Sequence, residues 1–130
     1  MARKAPGVAK LERLLAKFGD VRLSEAIAML SRPRGAPKTW GVHELLMIFL
    51  DVEAAKGRGL NQRQACTLIA PYYDLTLKNC EKIYIRSRKH FEPLIRHRPA
   101  RINLNDMVQD HVQGRPRLQK LLERSAAKNR

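Results

Sequence analysis

Residues Asn61–Arg86 read NQRQACTLIAPYYDLTLKNCEKIYIR. The stretch predicts two short helices joined by a tight turn. On a helix that turns roughly 100° per residue, Leu77, Cys80, Tyr84 and Phe91 gather on one side, and Ile83 borders them. Lys78, Lys82, Arg86 and Lys89 fall on the opposite side. The second helix therefore carries a core face and a charged face. In the turn, the small Ala70 lets the second helix cross closely, and Leu75, five residues on, plugs the junction. Thr76 or Asp74 is the expected N-cap of the second helix, offering a side-chain oxygen to a free backbone N–H. Either choice leaves that helix N-terminus pointing outward, where it favours a phosphate. Pro71 is expected inside the first helix, which it would kink or shorten by removing a hydrogen bond.

Ala70, Tyr73, Leu75, Thr76, Cys80, Ile83 and Tyr84 together resemble the helix-turn-helix superfamily of DNA-binding proteins, over about a fifth of the chain. The chain departs from the pattern at Asp74, where such motifs most often have Gly, although Asp accepts turn conformations better than most residues. The resemblance implies a binding protein whose second helix enters the major groove of DNA. Lys78, Asn79 and Lys82 would then face base edges, Asn79 suiting adenine and the lysines guanine. Arg63 and Gln64 would hold phosphates from the preceding helix. Arg86, Lys89, Arg96, Arg98 and Arg101 would follow the phosphates further along.

Working outward, the pattern is helical throughout, and no alternating strand pattern competes. Residues 1–7 read as a disordered basic tail. Residues 8–31 read as a helical hairpin: Val8, Leu11, Leu14, Leu15 and Phe18 share one face of its first helix, Gly19 ends that helix, and Leu23, Ile27 and Leu30 face inward from the second. Apolar faces of this kind make the hairpin a natural dimerisation element, so a homodimer reading two half-sites about one helical turn apart is expected. Residues 32–40 form a basic Pro/Gly linker, with Trp40 anchoring it on the core. Val42–Lys56, apolar over most of its surface, is the expected central helix of a trihelical core spanning 41–92. The helix that starts near Thr76 should end at about His90, before Pro93. Residues 93–130 read as a basic C-terminal extension with one or two helices, at Leu104–Val112 and Arg117–Lys128. The expected class is all-α: a trihelical core flanked by an N-terminal hairpin and C-terminal helices.

The chain of 130 residues carries 26 Lys and Arg against 12 Asp and Glu, a net charge of +14. Such an excess calls for an anionic partner, most simply nucleic acid. It is unevenly distributed. Residues 1–40 hold nine basic and three acidic side chains, residues 41–75 hold three and four, and residues 76–130 hold fourteen and five. The middle is where a core belongs, and the excess resumes at the proposed recognition helix. Cys66 and Cys80 fall among apolar neighbours and read as buried free thiols of a cytoplasmic, nucleoid-associated protein. No apolar run approaches a membrane span, and the basic N-terminus lacks the apolar core of a secretion signal.

Other constellations are weaker. Gly114-Arg115-Pro116-Arg117 resembles part of an AT-hook, an extended segment that lays Arg115 and Arg117 in a narrow minor groove; Arg32-Pro33-Arg34-Gly35 is a poorer version. Cys66, Cys80, His90 and His97 are too irregularly spaced for a zinc site. His97, Asp106, Asp110 and His111 lack a third neighbouring carboxylate, and Gly57-Arg58-Gly59 lacks the Lys and Ser/Thr of a phosphate-binding loop. The expectation is therefore a protein that is not an enzyme and needs no metal or cofactor. Few aromatics are placed for base stacking, Tyr72 being the exposed exception, so double-stranded DNA is favoured over RNA. Two alternatives stand beside that reading: a basic helical adaptor for an acidic protein, and an RNA-binding component of a larger particle.

Overall fold

The computed structural model describes residues 6–18, 23–30, 40–95 and 104–128. Residues 1–5, 19–22, 31–39, 96–103 and 129–130, and with them most of the linker, Arg96, His97, Arg98 and Arg101, lie outside the described residues. The described chain is all-α and holds no strand. Its helices are α1 (Pro6–Phe18), α2 (Leu23–Ala28), α3 (Val42–Gly57), α4 (Gln62–Ile69), α5 (Leu77–Ile95), α6 (Leu104–Gln113) and α7 (Pro116–Lys128), with a 3-10 turn at Ala70–Tyr73 between α4 and α5. Among the described residues, no helix is long and apolar enough to cross a membrane.

α3 is central because it is apolar nearly all round. Leu45, Leu46, Ile48, Phe49, Leu50, Val52 and Ala55 are all buried, covering most of the helix surface, while His43 and Glu44 in its first turn are exposed. It touches α2, α4, α5 and α6, while α4 also touches α5. Rings tie α3 to α5: Phe49 stacks on Tyr84 at 6.0 Å and meets Phe91 at 6.1 Å between centroids. These separations lie in the favourable range for aromatic pairs.

Three expectations change. First, α5 does not stop near His90 but runs through Pro93 to Ile95. An interior proline costs a helix about 3 kcal/mol. Pro93 lies on the exposed side, and the turn containing it buries Leu94 and Ile95. Two such side chains contribute roughly 1.5–3 kcal/mol each, enough to carry the helix past the break. Second, Pro71 does not sit inside α4. It occupies the first turn of the 3-10 segment, where a missing N–H removes no bond. Third, Pro6 and Gly7, expected in the tail, already belong to α1, and the hairpin that α1 opens packs into the common core. Leu11 and Ile27 are fully buried and join the same core as Met107, Leu118 and Leu122 from the C-terminal helices. Phe18, on the apolar face of α1, is 48% exposed beneath the Lys17 ammonium. Apart from Phe18 and Met29, the described hairpin leaves no large apolar side chain exposed for a second copy.

Candidate nucleic-acid interface

The approach to α5 is built by three successive local devices. Asn61 opens α4 with a capping box: its side-chain oxygen accepts from the Gln64 N–H at 2.8 Å, and the Gln64 side chain accepts from the Asn61 N–H at 3.1 Å. The 3-10 turn then ends in a Schellman pair, with the Leu75 N–H on the Ala70 carbonyl at 3.0 Å and the Asp74 N–H on the Pro71 carbonyl at 3.2 Å. This closure needs a left-handed residue between them, and Asp74 supplies it at φ 59°, the only non-glycine residue with positive φ among the described residues. Finally Thr76 caps α5, its hydroxyl accepting the Asn79 N–H at 3.2 Å. Of the two N-cap candidates, Thr76 does the capping and Asp74 makes the bend.

Packing fixes the rotation of α5. Cys80, Ile83, Tyr84, Ser87 and Phe91 are buried, and Lys78, Asn79, Lys82, Arg86 and Lys89 are all exposed. Arg88 is exposed too and forms an ion pair with Glu92 at 2.9 Å. The exposed residues of α5 thus include five cations, of which Arg88 is paired, and the carboxylates Glu81 and Glu92 are half-buried beside them. Ile85, 40% exposed, falls within this basic stripe. Its position follows from the same 100° spacing that aligns the lysines, and it differs from them in lacking a charge.

The remaining sequence candidates divide. Arg63 is exposed near the start of α4, whereas the Gln64 carbonyl oxygen is committed to the cap. Arg117 is exposed in the first turn of α7. The extended AT-hook conformation is not adopted, because Pro116 and Arg117 begin α7. Proline is favoured at a helix start, where its fixed φ suits the first turn. Arg115 folds inward: its guanidinium donates to the Tyr73 hydroxyl at 3.4 Å, lies 3.4 Å from an Asp51 oxygen, and rests 5.8 Å above the Tyr72 ring centroid. It is a structural cation in this fold, not a free groove-reading arm.

Arg115 belongs to a buried polar cluster that local sequence patterns do not reveal. Asp51, 1% exposed in the middle of α3, accepts hydrogen bonds from the Tyr73 hydroxyl and from His111 Nε2. A buried carboxylate is tolerable only when its oxygens are satisfied, and here a phenol, an imidazole and a guanidinium surround it. Burial and the neighbouring Asp51 charge push the Tyr73 phenol above its ordinary range. A second set links α3 to α5: the Tyr84 hydroxyl donates to Glu53 and accepts from Lys56 Nζ at 3.0 Å, and burial followed by the Glu53 bond raises its pKa. Cys66 of α4 and Cys80 of α5 are free, fully buried and hydrogen-bonded to each other; that bond and burial push the Cys66 thiol up. Among the described residues, no three His, Cys, Asp or Glu side chains converge to hold a metal ion. Compared with known family models, curated proteins and solved structures, the chain matches none.

Proposed function

We propose that this protein binds double-stranded DNA by laying the exposed face of α5 in the major groove. The observation that carries the reading is the composition of that face: Lys78, Lys82, Arg86, Lys89 and Asn79 are exposed on a helix whose other side is locked into the core, with the half-buried Glu81 and the Arg88–Glu92 pair at its edge. Asn79 and Lys78 stand in its first turn, beside the free N–H groups of the helix terminus, and Lys82 follows one turn later. Base edges would be read by Lys78, Asn79 and Lys82. Ile85 suits the methyl group of thymine. Arg86 and Lys89 would hold phosphates along the same strand, and Arg63 would do so from α4. The +14 charge supplies the salt-sensitive attraction that such a mode requires.

The test is a fluorescence-anisotropy titration of the full chain against random-sequence duplex DNA and matched duplex RNA at two salt concentrations. Tight binding that prefers DNA and weakens with salt is expected. Lys82→Ala should flatten preference among DNA sequences by about 1–3 kcal/mol at the base it reads. Lys89→Ala should weaken all sequences alike and lower the salt slope by about one. No binding to either duplex at moderate salt would sink the reading, as would affinity indifferent to both substitutions. A sharp preference for one site would point to a transcriptional regulator, and uniform affinity to an architectural role.

A further inference from the structure

α2, α3 and α6 line an open groove of about 570 Å³ to which α5 contributes no residue. That volume lies within the range of small-molecule sites, roughly 300–1,000 Å³. Its composition is unlike the rest of the surface. Three of the chain's four methionines line it: Met29, which is 57% exposed, the half-buried Met47, and the buried Met107. Methionine is unbranched and polarisable, which suits a wall that must adapt to a flat apolar or aromatic guest. Two carboxylates, Glu25 and Asp110, are exposed on its lining, and neither has an ion-pair partner among the described residues. Among the described residues, no Lys or Arg lines the groove.

We propose that this groove binds a lipophilic organic cation. An apolar, thioether-lined cleft accepts the hydrocarbon bulk, and the two carboxylates select the charge. Among the described residues, their neighbours in the lining are apolar or imidazole, with His43 and His111 completing the wall. The site is separate from the α5 face and stands or falls independently of DNA binding.

The experiment uses the full chain labelled with 13C at the methionine methyl groups, titrated at pH 8 with tetraphenylphosphonium and, in parallel, with neutral triphenylphosphine oxide. The Met29, Met47 and Met107 signals should move saturably with the cation and much less with the oxide. The double substitution Glu25→Gln and Asp110→Asn, both at exposed positions, should weaken the cation about tenfold and leave the oxide unaffected. The wild-type comparison of cation with oxide stands even if the variant misfolds. Equal responses to both probes would overturn the proposal by removing the role of charge. So would the absence of a saturable shift up to about 1 mM. Methionine shifts that depend on protein concentration without any probe would assign the groove to a second copy instead.

Discussion

At the scale of single residues, Asp51 has the largest structural consequence. It is the one buried carboxylate among the described residues, and it holds Tyr73, His111 and Arg115 in place. Removing one member of such a cluster leaves the others buried and uncompensated, which costs about 3–5 kcal/mol. Asp51→Ala should therefore lose that much by urea denaturation, a large part of the total stability of a small domain. A loss under about 1 kcal/mol would mean that water already shares the site. Nothing local in the sequence announces this cluster. Asp51 reads as an ordinary charge on an otherwise apolar helix, and its partners stand 22 and 60 positions away. Arg115 is the sharper lesson: among Gly and Pro it looks like a solvent-seeking arm, and only the proximity of a buried carboxylate turns it inward.

At the scale of elements, the sequence was most legible where spacing alone decides. The two faces of α5 follow from its apolar period, and so does the burial of α3. The Thr76 cap follows from side-chain chemistry. The end of α5 was illegible because local proline chemistry and long-range burial oppose each other there, and the burial of Leu94 and Ile95 prevails. The path of α1 and α2 was half legible: their apolar faces are evident, but which surface covers them is a tertiary fact. The α4–α5 turn offers a direct check on its backbone. Left-handed φ costs an L-residue roughly 1–2 kcal/mol, less for Asp, and nothing sterically for Gly. Asp74→Gly should leave the thermal midpoint unchanged or slightly higher. Asp74→Val should lower stability by about 1–2 kcal/mol. If both variants melted together below wild type, the Asp74 side chain itself would be holding the turn.

At the scale of the whole molecule, two tyrosines link stability to alkaline pH. Tyr73 and Tyr84 are both held protonated by burial and by carboxylates beside them. A folded-state pKa raised above the unfolded value contributes stability that is full below the unfolded pKa and is lost as pH rises past it. The loss should begin at about pH 10, the ordinary phenol value. Urea midpoints measured from pH 8 to 11 should fall in the upper part of that range, and Tyr84→Phe should make the fall shallower. An equal slope in the variant would place the alkaline sensitivity elsewhere. The Asp51 cluster also has a consequence in time. Its histidine is synthesised 60 residues after its aspartate. At about 5–20 residues per second, roughly 3–12 s separate the two during translation. Through that interval the nascent α3 has its apolar sides ready and its carboxylate still without the imidazole. The ribosome thus delivers this protein's central helix early and its counterpart late, and during synthesis that waiting segment is where a chaperone would find its client.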